Sequence, residues 1–265
     1  MPERKICRAA ELSEAFARVR EKAPLVLNIT NFVSASFNAN ALLAAGASPL
    51  MSSDPDEMEE LVALADALVI NIGCPDVVQE EAMGRAVAEA VVDGKPWVLD
   101  PVGAGASVLR AKLSLRYASM RPSVIRGNAS EIISLAGALC GDSVRSSGRG
   151  VDSGNAVSDA YSAAENLAQM TDAVVSVSGE EDYITDGNKS LILKGGSPLM
   201  PLVSGTGCTA TALTAAFLAS ERDSFEAAVH AMALMSAAGE KAAASSAGPG
   251  TFQPAFIDAL YELSR

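Results

Sequence analysis

The chain carries Val124-Ile125-Arg126-Gly127-Asn128-Ala129-Ser130-Glu131, a stretch in which a strand-like run passes directly into the start of a helix. Val124 to Arg126 is the strand-like run, and Ser130 to Leu139 continues with a helical pattern. Asn128 and Glu131 have the spacing of a capping box, in which Asn caps the helix and Glu reaches back to the backbone N–H of the cap. The stretch therefore predicts a strand, a tight turn and a helix in direct succession.

The same alternation recurs along the chain. The other strand-like runs are Leu25 to Thr30, Ala67 to Ile72, Trp97 to Asp100 and Ala173 to Ser178. Helical patterns lie at Val33 to Ala45, Pro55 to Leu64, Pro75 to Val92, Ala106 to Ala118 and Asn155 to Met170. This order predicts βαβ units, and therefore an α/β fold with a mostly parallel sheet covered on both faces.

Three segments depart from that alternation. Two strand-like runs, Tyr183 to Thr185 and Ser190 to Leu193, flank Asp186-Gly187-Asn188 and predict an antiparallel hairpin at the edge of the sheet. Gly141 to Gly154 is rich in Gly and Ser and predicts an exposed loop. After Cys208 the chain is nearly all helical, with Ser224 to Ala244 and Pro254 to Leu263 as later elements.

Length and composition limit the classes of protein to consider. With 265 residues, 49% of them hydrophobic, the chain suffices for one α/β domain, which we expect to span residues 1–265. The formal net charge of −12 argues against nucleic-acid and anionic-membrane partners, and no apolar run reaches the roughly 18 residues of a membrane span. The four cysteines are scattered without a C-x-x-C pair, which favours a reducing cytoplasm over a disulfide framework or a zinc site.

Val203-Ser204-Gly205-Thr206-Gly207-Cys208 leads into a run of small residues that predicts another helix. Glycines allow a ligand to approach the backbone, and the unpaired N–H groups of a first helical turn face an anion such as phosphate. Cys208 lies in that turn, where we expect the helix dipole to lower the thiol pKa from about 8.5. An anion site beside a proton acceptor indicates phosphoryl transfer to a hydroxyl; the alternative is a turn before a core helix with an inert cysteine.

Polar residues follow most of the predicted strands. Ligands collect at the carboxyl ends of parallel strands, although each such residue is also a good helix cap. The polar residues and glycines at these strand ends are Asn28, Thr30, Asn31, Asn71, Gly73, Asp100, Arg126, Gly127, Asn128, Ser178 and Gly179.

An arginine and two acids at these strand ends suit a nucleotide–magnesium site. Asp100 and Glu131 suffice for Mg²⁺, which keeps several waters and bridges phosphate oxygens. Arg126 has the geometry to clamp phosphate by two parallel hydrogen bonds. The position of Ser178 after a strand fits two interpretations, a contact to the nucleotide or a plain turn. Met51 is by default a core methionine, although its polarizable sulfur also suits a flat heteroaromatic ring.

Taken together, six segments resemble the hydroxyethylthiazole kinase family of the ribokinase-like superfamily. They are Asn28-Ile29-Thr30-Asn31, Ala47-Ser48-Pro49 with Met51, Asn71-Ile72-Gly73, Leu99-Asp100-Pro101-Val102-Gly103, Val124 to Glu131, and Gly205-Thr206-Gly207-Cys208. The resemblance covers nearly the whole chain. It implies a ribokinase-like three-layer αβα sandwich with a mostly parallel central sheet and an antiparallel edge hairpin.

The resemblance also implies an activity, namely ATP-dependent phosphorylation of the primary alcohol of 4-methyl-5-(2-hydroxyethyl)thiazole in thiamine salvage. It implies a requirement for Mg²⁺ and a cytoplasmic homotrimer with active sites between subunits. Two rival activities within this fold are a kinase for a pyrimidine or pyridine alcohol and a dehydratase of hydrated nicotinamide nucleotides. A nucleotide-binding regulator without turnover is the alternative from another class of protein.

Residue roles follow from the same resemblance. The implied substrate contacts are Met51, Gly205, Asn28 and Gly73, and the implied ATP contacts are Arg126, Ser178, Asn128 and Gly207. The implied metal-linked residues are Glu131 and Asp100. Cys208 stands where related kinases carry an aspartate base. Two positions depart from the expected pattern. Ser178 stands where threonine is expected, and Gly73-Cys74-Pro75 replaces Gly-Thr-Leu.

Overall fold

The computed structural model describes residues 9–141 and 160–265, and within these ranges the chain forms eight strands and ten α-helices. The strands are β1 (Leu25–Ile29), β2 (Ser48–Met51), β3 (Ala67–Asn71), β4 (Trp97–Asp100), β5 (Val124–Asn128), β6 (Val174–Ser178), β7 (Glu181–Thr185) and β8 (Ser190–Lys194). The helices are α1 (Ala9–Lys22), α2 (Ala35–Ala45), α3 (Met58–Leu64), α4 (Val77–Val92), α5 (Val108–Ala118), α6 (Ala129–Leu139), α7 (Tyr161–Thr171), α8 (Thr206–Ser220), α9 (Ser224–Ser245) and α10 (Pro249–Leu263).

The strands form one sheet in the order β2-β1-β3-β4-β5-β6-β7-β8. All pairs from β2 to β6 are parallel, and β6, β7 and β8 pair antiparallel. The hairpin turns where the carboxylate of Asp186 accepts hydrogen bonds from the backbone of Asn188 and Lys189, each at 2.8 Å. Gly187 has a φ of +86°, which glycine adopts without strain. The predicted mostly parallel sheet and its edge hairpin are confirmed.

Helices cover both faces of the sheet, because successive strand residues point to opposite sides. Leu27, Ile70 and Ile125 pack on one side against α3 to α7. Val26 and Val69 pack on the other side against α1, α2 and α8 to α10. The three-layer αβα sandwich expected from the resemblance is therefore confirmed. In the ranges that the structure covers, none of the helices combines the length and the apolar character that a membrane crossing requires.

Several predicted boundaries change. The short strand β2 contains Pro49 and lacks a strong apolar run, and it is only partly buried. Helix α1 lies in a charged segment that the pattern did not mark as helical. The predicted start of the last helix at Pro254 is wrong, because α10 begins at Pro249 and Pro254 lies inside it. Proline suits the first helical position, and Pro249 rather than Pro254 occupies it. All but Gly141 of the predicted loop Gly141 to Gly154, and the start of the predicted helix Asn155 to Met170, lie outside the described residues.

The connections after β1 and β3 diverge, and this divergence positions the site. Helix α2 follows β1 on one face of the sheet, whereas α4 follows β3 on the other face. Adjacent parallel strands whose connections leave in opposite directions open a crevice at their carboxyl ends, where ligands bind. Helix α8 packs against β1, β3 and β4, and Thr211 of α8 donates a hydrogen bond to Asp100 at the end of β4. The first turn of α8 therefore lies at this crevice.

Candidate active site

A cavity of about 450 Å³ opens at the carboxyl ends of the central strands. Most of the residues predicted from the sequence line it, namely Gly73, Asp100, Arg126, Asn128, Glu131, Ser178, Gly205, Gly207 and Cys208. They come from the ends of four strands and from the start of α6 and α8. The structure thus brings together residues that are more than 100 positions apart in the sequence.

The first turn of α8 forms one wall of the cavity. Gly205 precedes the helix with a φ of +90°, a conformation that favours glycine, and a Cβ at this position would lie 3.1 Å from Ser34 Cβ. Within the described part of the chain no side chain caps the helix, so its first-turn amides lack the bond that a Ser, Thr or Asp cap supplies. This end of α8 is suited to bind an anion.

Arg126 places a buried positive charge against that turn. The side chain is only 7% exposed, and Nη2 donates a hydrogen bond to Ser178 Oγ at 2.5 Å. A Cβ added to Gly207 would come within 2.8 Å of Nη1, so the guanidinium packs directly on the helix backbone. The Nε atom is buried, and it has no hydrogen-bond partner among residues 9–141 and 160–265. A cation beside the positive end of a helix is unfavourable unless an anion joins them.

Two buried carboxylates lie beside Arg126. Asp100 is 1% exposed and accepts hydrogen bonds from Asn71 Nδ2 at 2.7 Å and Thr211 Oγ1 at 2.8 Å. Glu131 Oε1 accepts from Gly103 N at 2.8 Å. Burial raises the pKa of Asp100, and burial together with the charge of Asp100 raises the pKa of Glu131 to about 7. The cavity thus concentrates negative charge that a cation would stabilise.

The predicted capping box at the start of α6 is confirmed. Asn128 Oδ1 accepts from Glu131 N at 3.0 Å, and Glu131 Oε2 accepts from Asn128 N at 2.8 Å. One oxygen of the Glu131 carboxylate thus holds the helix start while the other holds the loop after β4. Capping accounts for the present geometry of both residues, and a role toward a metal or a nucleotide stays a prediction.

Comparison with known proteins connects this geometry to one family. The sequence profile of the hydroxyethylthiazole kinase family matches residues 16–265. A hydroxyethylthiazole kinase of Nitratidesulfovibrio vulgaris (strain DP4) is 52% identical over 248 residues, which cover 93% of this chain and 91% of that protein. This chain belongs to the hydroxyethylthiazole kinase family.

Solved structures agree with that assignment. The hydroxyethylthiazole kinase protein of Pyrococcus horikoshii OT3 is 40% identical, covers 95% of this chain and 92% of its own chain, and superimposes with a TM-score of 0.85. A ribokinase-like superfamily protein of Enterococcus faecalis V583 is 14% identical, with a TM-score of 0.65 over 99% of this chain and 92% of its own. The second likeness shows the fold alone, and that fold is ribokinase-like.

The electrostatics of Cys208 correct one prediction about this member of the hydroxyethylthiazole kinase family. Burial raises the pKa of the Cys208 thiol, and the nearby charge of Asp100 raises it further. Hydrogen bonds from Ser34, Asn31 and Asn71 lower the pKa but do not offset those two effects. The prediction of a lowered thiol pKa is therefore wrong, because it considered the helix dipole without the burial that the cavity wall imposes.

Met51 and Asn28 do not line the cavity of this family member. Met51 ends the edge strand β2 and is 37% exposed, so the default assignment as a core methionine is wrong. Asn28 lies opposite Met51 in the strand register and is 1% exposed, and none of the residues that the structure describes bonds to its Oδ1 atom. Their predicted contact with a substrate stays a prediction.

The two departures from the family pattern both line the cavity. Ser178 retains a hydroxyl, which accepts the hydrogen bond from Arg126. Gly73 is required where it stands, because a Cβ there would lie 2.8 Å from Asn31 Nδ2 and 2.9 Å from Asn71 Oδ1. Cys74 adopts a φ of +49°, an unusual conformation for a residue with a Cβ. The loop after β3 thus reaches the cavity with a strained backbone.

Two residues of this site were not predicted as functional. Thr211 donates to Asp100, and its position one helical turn after Cys208 places both on the same face of α8, a signal that the sequence contained. Arg110 lines the cavity near the start of α5, and its guanidinium donates to the carbonyl groups of Ile72 and Val102. No local pattern marks Arg110, because both of those contacts depend on the packing of separate loops.

Proposed function

We propose that this chain catalyses the ATP-dependent phosphorylation of the primary alcohol of 4-methyl-5-(2-hydroxyethyl)thiazole in thiamine salvage. Membership in the hydroxyethylthiazole kinase family supports this assignment. The structural observation that carries it is the guanidinium of Arg126, which lies buried and incompletely bonded against Gly207. A phosphoryl group at this point would lie between the Arg126 guanidinium and the N-terminus of α8, with Cys208 in the same turn.

The chemistry of transfer follows from this arrangement. The first-turn amides of α8 and the guanidinium of Arg126 bind the terminal phosphoryl group of ATP and stabilise the charge that moves to its oxygens. The alcohol oxygen bonds to phosphorus as the bond to the ADP oxygen breaks, and Cys208 accepts the alcohol proton. Positioning and electrostatic stabilisation supply most of the acceleration in phosphoryl transfer, so the base makes a smaller contribution.

Asp100 and Glu131 fit Mg²⁺ as the cofactor. Both are oxygen donors, Mg²⁺ prefers oxygen ligands, and few protein carboxylates are needed when phosphate oxygens and waters complete its shell. Burial raises the pKa of both carboxyls, and the charge of Asp100 raises that of Glu131 further, so a divalent cation would stabilise their ionised forms. Bound Mg²⁺ would supply charge neutralisation on the phosphates, and Asp100 with Glu131 would hold it. Asn128 positions Glu131 through the capping box.

Replacing Glu131 with Gln is expected to weaken Mg²⁺ binding. A pKa raised to about 7 means that the folded protein holds this proton more tightly than the unfolded chain does. Lowering the pH from about 8 to about 6 therefore protonates Glu131 and competes with the metal. We expect Mg²⁺ to raise the melting temperature of the parent protein more at the higher pH, and the Glu131→Gln variant to lose most of that increase.

Asp182 provides a matched control for this measurement, because desolvation raises its pKa to about 6 and its carboxylate accepts from Gly179 N. We expect Asp182→Asn to retain the Mg²⁺-dependent increase in melting temperature. An equal increase in Glu131→Gln and in the parent protein at both pH values would limit Glu131 to helix capping.

Alanine at position 207 is expected to weaken ATP binding. The new Cβ would lie 2.8 Å from Arg126 Nη1, so the guanidinium must move away from the helix terminus. Loss of hydrogen bonds to a charged group predicts an increase in KM for ATP of at least about tenfold. Gly250→Ala in α10 is the control, because a Cβ there meets no atom of the described residues within 4 Å. Unchanged KM values for ATP in Gly207→Ala would contradict the assignment of this wall to the nucleotide phosphates.

Oligomeric state, location and domain organisation complete the proposal. A homotrimer with active sites between subunits accounts for Met51, which is exposed on an edge strand outside the cavity and which a neighbouring subunit would cover. A reducing cytoplasm keeps Cys208 a free thiol, as it is in the structure. Residues 1–265 act as one ribokinase-like kinase domain, since residues from β1 to α8 build a single cavity.

The direct test of the function is ADP release with a panel of alcohols. The purified protein with ATP and Mg²⁺ is expected to turn over the thiazole alcohol with a higher kcat/KM than pyridine or pyrimidine alcohols of similar size. Preference for one of those alcohols would assign another substrate to the same site. Absence of ATP consumption with every alcohol would favour a nucleotide-binding protein without turnover.

A further inference from the structure

Asn31 connects the sulfur of Cys208 to a buried carboxylate. Its Nδ2 atom lies 3.3 Å from Cys208 Sγ and 2.9 Å from Asn71 Oδ1. Asn71 Nδ2 in turn donates to Asp100 Oδ2 at 2.7 Å. Two amide side chains thus run from the carboxylate at the end of β4, past the ends of β3 and β1, to the first turn of α8.

Backbone groups fix the orientation of both amides. Asn31 Oδ1 accepts from Ser34 N at 3.1 Å, and Asn71 Oδ1 accepts from Gly73 N at 3.0 Å. A backbone N–H can only donate, so the oxygen end of each amide is identified by its partner. The nitrogen of Asn31 must therefore face Cys208. The sulfur meets a hydrogen-bond donor at this position and not an acceptor.

Tight packing keeps Asn31 in this place. Asn31 is 5% exposed and Asn71 is fully buried. The Cβ of an alanine at Gly73 would lie 2.8 Å from Asn31 Nδ2, so the loop after β3 packs directly against this amide. The donor is thus preorganised toward the sulfur.

We propose that Asn31 is a positioning residue that stabilises the thiolate form of Cys208 and directs its sulfur toward the acceptor alcohol. This inference rests on the proposed function, in which Cys208 accepts the alcohol proton. In that step the O–H bond breaks, the Cys208 thiolate takes the proton to form an S–H bond, and the oxygen electron pair forms the new bond to phosphorus as the bond from phosphorus to the ADP oxygen breaks. Asn31 keeps both of its hydrogens, and its bond is strongest while the sulfur is charged.

The groups around Cys208 shift its thiol pKa in opposite directions. Asp100 faces the thiol from β4 and raises its pKa together with burial. Arg126 packs against the neighbouring Gly207 from β5, and Glu131 lines the same cavity from α6. Side-chain hydrogen bonds from Ser34, Asn31 and Asn71 lower the thiol pKa and so oppose the effects of burial and of Asp100.

The test measures Cys208 directly, without relying on turnover. Asn31→Asp keeps the size and the acceptor for Ser34 N but removes the amide donor, and Asn31→Leu removes the donor with no new charge. We expect the thiol pKa to rise by about one unit, so that iodoacetamide modifies Cys208 about tenfold more slowly at about pH 8.5. Peptide-resolved mass spectrometry of the intact protein gives this rate, with exposed Cys140 as the internal reference.

Kinetics give a second readout. In both Asn31 variants we expect kcat to fall about tenfold and its pH profile to move about one unit higher, with KM for ATP unchanged. Asn38→Leu is the matched control, because Asn38 is a fully buried amide that bonds to Thr30 and Thr209 instead. We expect Cys208 in Asn38→Leu to react at the parent rate.

Three outcomes decide the inference. The inference is supported if alkylation of Cys208 slows in the folded Asn31 variants and does not slow in Asn38→Leu. Parent-like alkylation in those variants, or equal slowing in Asn38→Leu, overturns it and leaves Asn31 a packing residue. If the parent protein does not phosphorylate the thiazole alcohol but Cys208 responds as expected, the proposed function fails, whereas the control of Cys208 by Asn31 is upheld.

Discussion

Replacing Arg126 with Met is expected to lower kcat by at least about 10²–10³-fold while the fold is preserved. The guanidinium lies against the first turn of α8, where it can follow the charge that develops on the transferring phosphoryl group. Met retains the apolar stem of the side chain, so the loss reports mainly on the charge and its hydrogen bonds. Steady-state ADP release at saturating ATP and thiazole alcohol measures the effect.

Arg110 provides the control within the same cavity. Its guanidinium is already bonded to the carbonyl groups of Ile72 and Val102, so Arg110→Met is expected to cost much less activity. Equal losses in the two variants would show that the cavity requires positive charge in general. A kcat for Arg126→Met close to that of the parent protein would remove Arg126 from the transfer step.

Replacing Cys208 with Ala is expected to lower kcat by about 10²–10⁴-fold, the usual cost of losing a general base. Cys208→Asp is expected to match or exceed the parent protein, because a carboxylate is ionised at neutral pH whereas burial and Asp100 raise the pKa of this thiol. The thiol must lose its proton before it acts. The kcat of the parent protein should therefore rise with pH through the neutral range, and that of Cys208→Asp should depend less on pH.

The exposed Cys140 serves as the control for cysteine replacement, and Cys140→Ala should leave kcat and its pH profile unchanged. Near-parent turnover by Cys208→Ala would rule out the base and leave the anion-binding turn of α8 as the functional part of this segment.

Local patterns predicted most of the fold. The capping box of Asn128 and Glu131 joins residues three positions apart, so sequence alone indicated both the helix start and its hydrogen bonds. The Asp186-Gly187-Asn188 turn specified the hairpin in the same way. The short strand β2 escaped detection, since its pattern is weak and its pairing with β1 is a tertiary contact.

The site was predicted less completely, because its chemistry depends on long-range packing. Strand-end residues such as Asp100 and Arg126 were identifiable because parallel strands share one carboxyl edge. The thiol pKa of Cys208 was predicted in the wrong direction, since its burial and the nearness of Asp100 are invisible in a local motif. The bond from Asn31 to Cys208 spans 177 positions in the sequence and required the folded structure.

A crystal structure of the protein with thiazole alcohol and a non-hydrolysable ATP analogue tests the central claim most directly. We predict that the terminal phosphate contacts the amides of Gly207 and Cys208 and the guanidinium of Arg126. We also predict that the alcohol oxygen lies between that phosphate and Cys208 Sγ, within hydrogen-bond distance of the sulfur. A terminal phosphate bound away from the first turn of α8, or an alcohol out of reach of Cys208, would contradict the account.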